Sequence, residues 1–353
     1  MMEKLLLRGD NFLKLVTGLG KDYSIYLPEL KGNKLHFIKH NTEDTSNLSN
    51  ENISYISLYR TFEPLKNFFF KAREIVAEDF KDDVPKHEEK PYCIIGVKAC
   101  DLKGFLVQDH VFLNHDYKDP TYIKNRENNL IISVDCTSPI DTCFCLSMGI
   151  KPYPEENFDL NLSPIDNDFI VATGSARGEE IIKAYSSLFD KISPEHLEKQ
   201  GNNRKASEKI VEENIKQHEI PYQEMFSGII EKNYEDSAWK DEASTCVECG
   251  ACNTICPTCH CFLLYDQKDE EKMARLRVWD SCLIKDFALI AAGANPRPFL
   301  WMRLRNRFEK KFDYFPKVAN FYACTGCGRC ISACPGKIDI RRILKRLVDN
   351  VQK

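Results

Sequence analysis

The sequence predicts an α+β or α/β protein in which a mixed α/β region precedes a mainly α-helical C-terminal region. Three observations carry this prediction. Short runs of β-forming residues recur up to about residue 175, a polar helical stretch follows, and the last third combines many cysteines with helical periodicity. We therefore predict an α/β domain over residues 1–178, a helical acidic linker segment over 179–240 and a C-terminal domain over 241–353.

Strands of the first domain are predicted where apolar residues run together or alternate. The runs are YSIYL (23–27), KLHFIK (34–39), YCIIGVK (92–98), LIISVD (130–135) and FIVATG (169–174). The third and fourth runs are apolar almost throughout, which is typical of strands buried on both faces of a sheet. Residues 101–113, which lie between them, have the periodicity of an amphipathic helix.

The linker segment is predicted to be helical, with breaks at Pro194 and Pro221 and a turn at residues 201–203. In the C-terminal domain, helices are predicted over residues 301–312 and 341–351, and much of the stretch 257–323 is expected to be helical.

Two cysteine motifs of identical spacing lie in the C-terminal domain, and each ends in Cys-Pro. The first motif is Cys246, Cys249, Cys252 and Cys256, and the second is Cys324, Cys327, Cys330 and Cys334. This pattern is typical of the ligands of two 4Fe-4S clusters, in which the fourth cysteine of each motif binds the other cluster. We therefore predict one cluster on Cys246, Cys249, Cys252 and Cys334, and a second on Cys324, Cys327, Cys330 and Cys256. Structural zinc is the alternative, although zinc usually binds two separated Cys pairs. The domain is thus predicted to be an α-helical ferredoxin-like dicluster domain.

Four more cysteines follow two predicted strands. Cys100 comes after the run 94–97, Cys136 comes after 131–134, and Cys143 and Cys145 lie just beyond. Because the carboxyl ends of adjacent parallel strands meet at one edge of a sheet, these four thiols are expected to converge there. We predict a third 4Fe-4S cluster on Cys100, Cys136, Cys143 and Cys145, with zinc as the alternative.

Three cysteines have no assigned role at this stage. Cys259, Cys261 and Cys282 do not complete a four-ligand set, and they could line a channel, tune a cluster or bind a further cofactor. Cys93 alternates within an apolar strand and is predicted to be a core residue. Arg329, Lys337 and Arg275 could raise a cluster potential through their charge, or could form structural ion pairs.

Composition places the chain among globular proteins of a reducing compartment. It has 353 residues, of which 43% are hydrophobic, 29% are charged and 16 are cysteine, with a net charge of −4. No secretory leader or membrane span is visible, so a cytoplasmic location in an anaerobic cell is expected. The basic stretch 272–317 is interpreted either as a solvated helix face that offsets thiolate charge or as a docking surface. Nucleic acid is not an expected partner, since no binding fold accompanies these charges.

No acid–base or nucleophilic constellation is recognisable, so no catalytic residue is predicted. The dinucleotide fingerprint G-x-G-x-x-G is also absent from the sequence, which places NAD(P) or flavin on another subunit. A flavin bound by the α/β domain itself stays an alternative, since flavin sites need not carry that motif.

Several motifs, in this order, resemble those of a known family. They are KACDLKG, DCTSPIDTCFCLSMG, CVECGACNTICPTCHCF, WDSC and RLRNRFEKKFDYF followed by CTGCGRCISACP. The chain resembles the iron–sulfur family that contains the beta subunit of sulfhydrogenase and the iron–sulfur subunit of anaerobic sulfite reductase. The likeness runs from about residue 55 to 342, and the stretch 59–76 is nearer to the sulfhydrogenase beta branch.

The resemblance implies a cytoplasmic, non-catalytic electron-transfer subunit of a hetero-oligomer. Such a subunit lies between an FAD- and NAD(P)-binding subunit and a catalytic partner, either a nickel–iron hydrogenase or a sirohaem sulfite reductase. The alternatives are the iron–sulfur subunit of a dissimilatory anaerobic sulfite reductase complex, and a reductase with its own flavin or substrate site.

Overall fold

A computed structural model describes residues 4–40, 50–79, 90–114, 116–269 and 272–352. The strands it contains are β1 (Lys4–Leu7), β2 (Ser24–Lys31), β3 (Lys34–His40), β4 (Arg73–Glu78), β5 (Tyr92–Val97), β6 (Leu130–Val134), β7 (Leu160–Ile165), β8 (Asp168–Thr173), β9 (Phe189–Lys191), β10 (Phe262–Asp269) and β11 (Lys272–Trp279). The model confirms the predicted fold class, with a sheet-rich N-terminal region and a mainly helical C-terminal region.

The helices cover both regions. They are α1 (Gly9–Leu19), α2 (Asn50–Tyr55), α3 (Ala99–Leu102), α4 (Phe105–Phe112), α5 (Pro120–Asn128), α6 (Ala176–Ala184), α7 (Pro194–Gln217), α8 (Ile229–Lys232), α9 (Ala238–Ala243), α10 (Ala251–Thr254), α11 (Leu300–Glu309), α12 (Phe315–Ala319), α13 (Arg329–Ser332) and α14 (Ile340–Gln352). A π-helical turn, Lys310–Tyr314, joins α11 to α12. In the described ranges, no helix combines the length and apolar character needed to cross a bilayer.

The larger sheet has eight strands in the order β3-β2-β5-β6-β7-β8-β1-β9. Its centre is parallel, because β2, β5, β6 and β7 pair in the same direction, whereas the flanking strands pair antiparallel. All five residues of β6 are buried, as expected for a central parallel strand covered on both faces. The predicted strand runs at 92–98 and 130–135 are therefore neighbours, and their carboxyl ends share one edge.

Much of the stretch 257–323 is predicted to be helical, and α11 and α12 lie there, but its first part forms, with β4, a second, three-stranded sheet. Strands β10 and β11 form an antiparallel hairpin, and β11 also pairs with β4, about 200 residues away in the chain. The buried Arg277 guanidinium reinforces this pairing, since it bonds Glu74 on β4 with Nη2 2.6 Å from Oε1. Local periodicity could not reveal a strand whose stability depends on so distant a partner.

Helix α7 contradicts the turn predicted at residues 201–203, because it runs through that segment without a break. Gln200 Nε2 donates to Ser163 Oγ at 2.6 Å and Asn203 Nδ2 donates to the Pro164 carbonyl at 3.0 Å, so both side chains anchor the helix to β7. Pro194 is the first helical residue rather than a breaker, and Ser193 caps the helix.

The last helix, α14, closes the core of the C-terminal region. Ile343, Leu344 and Leu347 are fully buried on one face and pack in one cluster with Trp239 and Phe308. Partly buried cysteines of both ferredoxin-type motifs pack against the same cluster, so the helical core and the cysteine loops form a single packed unit.

Truncating a buried residue of α14 should therefore destabilise the whole C-terminal region. We expect Leu347→Ala to lower the free energy of unfolding by about 2–5 kcal/mol, as is usual for a leucine-sized cavity. Urea titration of the anaerobically purified chain measures this change. Gln352→Ala, at the exposed end of the same helix, is the control and should change stability by less than about 0.5 kcal/mol. Equal effects of the two substitutions would contradict the packing described.

Candidate metal centres

The two ferredoxin-type motifs fold into loops of the same design. In each, a glycine in the left-handed conformation starts a one-turn helix: Gly250 (φ 69°) precedes α10 and Gly328 (φ 67°) precedes α13. At Gly328 a side chain would also collide with a neighbour, because an added Cβ would lie 2.1 Å from the Thr142 carbonyl oxygen. Identical spacing in the sequence thus yields two equivalent cysteine loops.

The four cysteines predicted for the first cluster line one cavity. Its other walls are mainly apolar, and they include the buried guanidinium of Arg307. Cys249 is exposed at the rim. A group of soft sulfur ligands around a mainly apolar cavity, beside a buried cation, fits an iron–sulfur cluster.

The four cysteines predicted for the second cluster are also neighbours. Cys324 interacts electrostatically with Cys330 and Cys256, and Cys330 does so with Cys327 and Cys256. The buried Lys311 donates from Nζ to Cys256 Sγ at 3.4 Å and to Thr258 Oγ1 at 2.8 Å. A hydrogen bond from Cys259 and the charge of Lys311 lower the pKa of Cys256 against the effect of burial. This environment favours thiolate at Cys256, which is the form that binds metal.

The four cysteines predicted for the third cluster line a separate cavity. They lie where β5 and β6 end, which is the edge that the sequence indicated. Burial raises the pKa of Cys136 to about 12, although the charge of Lys98 opposes this shift. A free thiol with such a pKa is protonated at neutral pH, so binding a metal is what would ionise it.

Two buried cations face this third cavity. Lys98, 2% exposed, donates from Nζ to the Ile56 carbonyl at 2.6 Å, and burial lowers its pKa to about 8. Arg60, 4% exposed, donates to the Cys327 carbonyl and, at 2.9 Å, to Ser332 Oγ. Among the described residues, neither cation forms an ion pair with a carboxylate. Anionic metal–thiolate groups in the cavity would supply the missing counter-charge.

The three cysteine sets are joined through the second motif. Cys330 lines the first cavity, and Cys327 lines the third. The loop of the second motif also touches the loop of the third set, where the Phe144 backbone N–H donates to the Gly326 carbonyl at 2.8 Å. The second motif therefore lies between the other two sets and contacts both.

A buried ion pair fixes this junction. Arg329, which follows Gly328, donates from Nη2 to Asp101 Oδ2 at 2.7 Å, and Asp101 follows Cys100. Both side chains are almost completely buried. Of the other proposed potential-tuning residues, Arg275 forms an exposed ion pair with Asp266 and Lys337 adopts a left-handed conformation (φ 52°) beyond Cys334.

The interpretation of the basic stretch 272–317 as a solvated face is wrong for several of its cations. The buried ones are Arg277, Arg303, Arg305, Arg307 and Lys311. Sequence reasoning missed these residues, and also Arg60, Lys66 and Lys98, as parts of the sites. Two of them could have been found from their positions in the sequence. Lys98 lies two residues before Cys100, and Lys66 lies in a stretch that resembles the known family.

The remaining cysteines divide into two groups. Cys93 is fully buried within β5, which confirms its prediction as a core residue. Cys259 and Cys282 contact Asn253 of the first motif, and Cys261 lies beside Cys282. All 16 cysteines fall in the described ranges and none is disulfide-bonded. Within those ranges, no three His, Cys, Asp or Glu side chains converge closely enough for a single metal ion.

Paired loops of this kind, set in a helical core behind an α/β sheet, define an iron–sulfur protein of the dicluster type. A family model described as a 4Fe-4S dicluster domain matches residues 245–338. Sulfhydrogenase 2 subunit beta of Pyrococcus furiosus is 30% identical over 313 residues, which cover 87% of this chain and 90% of that protein. The chain belongs to the sulfhydrogenase beta subunit family.

The ion pair at the junction provides a test of how the sites are held together. Asp101→Asn would leave the Arg329 charge buried without an anionic partner, and we expect a loss of about 3–5 kcal/mol in the free energy of unfolding. Denaturant titration of the iron-loaded chain measures it. Asp266→Asn, which breaks the exposed pair with Arg275, is the matched control and should leave stability almost unchanged. A wild-type unfolding midpoint for Asp101→Asn would contradict this role.

Proposed function

We propose that this chain is the iron–sulfur electron-transfer subunit of a hydrogenase-type complex. It would relay electrons between an FAD- and NAD(P)-binding subunit and a catalytic subunit such as a nickel–iron hydrogenase. The observation that carries the proposal is the continuous series of three cysteine sets, in which Cys327 and Cys330 of the middle motif line the cavities on either side. Membership of the sulfhydrogenase beta subunit family supports it.

The cluster ligands are proposed as the sequence predicted them. The first set is Cys246, Cys249, Cys252 and Cys334, the second is Cys324, Cys327, Cys330 and Cys256, and the third is Cys100, Cys136, Cys143 and Cys145. A bound 4Fe-4S cluster supplies reversible one-electron chemistry. The three-domain division at residues 178 and 240 likewise stays a prediction.

Buried cations of the chain would tune the reduction potential of each cluster. Arg307 and Lys311 place positive charge beside the first two sets, and Lys98 and Arg60 do so beside the third. Buried positive charge favours the more negative, reduced state of a centre, so these residues would raise its potential. The exposed Cys249 brings the first set to the surface, where a partner's redox group could approach.

Two observations indicate which subunits would be the partners of this chain. Since the sequence has no dinucleotide fingerprint, FAD and NAD(P) would be bound by another subunit. The sulfhydrogenase relative favours a hydrogenase over a sulfite reductase as the catalytic partner. Sixteen reduced cysteines suit the reducing, anaerobic cytoplasm that we propose as its location.

Iron content tests the third set. The wild-type chain should hold about twelve iron atoms, and Cys136→Ser should lose about four, because one cubane is missing. Anaerobic purification followed by iron and acid-labile sulfide analysis gives the count. Cys93→Ser, at a buried cysteine of the neighbouring strand, is the matched control and should retain the full count. Unchanged iron in Cys136→Ser would remove the third cluster from the proposal.

Electron uptake without turnover tests the relay. We expect reduced methyl viologen to load the purified chain with about three electrons, one for each cubane. Adding NAD⁺ or sulfite should then cause no sustained viologen oxidation, since the chain is proposed to lack a catalytic site for either compound. Continuous turnover by the isolated chain would instead identify it as a reductase.

A further inference from the structure

Two cysteines outside the proposed cluster ligands are held together at the base of the β10–β11 hairpin. Cys261 precedes β10 and Cys282 follows β11, and the Asp280 N–H donates to the Cys261 carbonyl at 2.9 Å. The two thiols are neighbours that influence each other's ionisation. Because the strands on either side of the turn are paired from Phe262 with Trp279 onward, the backbone holds the two thiols in this arrangement.

The surroundings of this pair favour thiolate chemistry. Lys310 Nζ lies 3.9 Å from Cys261 Sγ, and Asn253 Nδ2 donates to Cys282 Sγ at 3.1 Å. Positive charge and hydrogen-bond donors of this kind activate cysteines. Cys282 is 4% exposed and Cys261 is more accessible, so the pair has one inner and one outer thiol.

A single buried amide connects the pair to the first cysteine set. Asn253, 3% exposed, contacts Cys282 through Nδ2 and Cys252 through Oδ1, the latter at 4.0 Å from Sγ. Arg307 Nε donates to the same Oδ1 at 3.0 Å and so fixes the orientation of the amide. Cys252 is a proposed ligand of the first cluster, so the dithiol lies next to the relay.

We propose that Cys261 and Cys282 form a reversible dithiol–disulfide couple that reduces small disulfides with electrons from the relay. The idea rests on the proposed function. Cys261, the outer thiol, passes its proton to Cys282 as it attacks a substrate disulfide, forming a mixed disulfide and releasing one thiol. Cys282 then displaces the second thiol and closes the Cys261–Cys282 disulfide. Two electrons, delivered singly by the relay, and two protons from solvent restore the two thiols.

Peptide mapping of the intact, iron-loaded chain tests the couple directly. After anaerobic incubation with oxidised glutathione, acid quenching and alkylation, wild type should yield a peptide that links Cys261 to Cys282. About two glutathione molecules should be released per chain, with no loss of iron. Absence of the linked peptide would overturn the proposal.

Electron counting then tests the connection to the relay. Oxidised wild type should accept about two more electrons from reduced methyl viologen than Cys282→Ser does. Cys93→Ser is the matched control and should keep the extra two, whereas Asn253→Ala should keep the count but accept them more slowly. Equal electron counts for wild type and Cys282→Ser would overturn the proposal.

Iron analysis of Cys282→Ser distinguishes the dithiol couple from a metal site at Cys282. Iron analysis of the wild type tests the electron relay separately. We expect its iron content to equal that of wild type. A loss of about four iron atoms would make Cys282 a cluster ligand and overturn the dithiol, while leaving the relay in place. A wild-type chain without iron and sulfide would instead overturn the proposed function, whatever the state of this pair.

Discussion

The pairing of buried cations with cysteine thiols is the interaction on which the rest of this structure depends. Lys98, Arg60, Arg307 and Lys311 are nearly inaccessible to water, and none forms an ion pair with a carboxylate in the described part of the chain. An isolated buried charge is very costly, and burial keeps free thiols protonated. Metal binding removes both difficulties, because it ionises the thiols and so gives each cation an anionic neighbour. We therefore infer that folding and metal loading are linked in this protein.

The same interaction explains why the three cysteine sets form one body. The middle motif contributes Cys330 to one cavity and Cys327 to the other, and Arg329 ties it to the strand end that carries Cys100. Close packing at Gly328 leaves no room for a side chain between the loops. A change at the middle motif should therefore disturb both neighbours, whereas changes at the outer sets remain local.

Sequence reasoning predicted those features that depend on short spacing. The two motifs follow from cysteine intervals, and the convergence of Cys100 with Cys136 follows from adjacent parallel strands, which the model confirms. It missed the pairing of β4 with β11, because the partners are about 200 residues apart. It misjudged Arg307 and Lys311, because a basic helix looks solvated unless the anions that it faces are known. Helix α7 continues past Gly201 because tertiary contacts to β7 outweigh local turn propensity.

The long insertion between the two ferredoxin-type motifs supplies side chains that surround their cysteines. Residues 257–323 do more than connect the motifs, because they supply Arg307 and Lys311, which lie beside the first two cysteine sets. They also carry the hairpin that holds Cys261 against Cys282 and the segment that places Lys310 beside them. The motifs alone fix which of their cysteines are grouped, whereas much of the buried positive charge beside these two groups comes from the insertion. The insertion is thus where electron affinity would be set without altering a single predicted ligand.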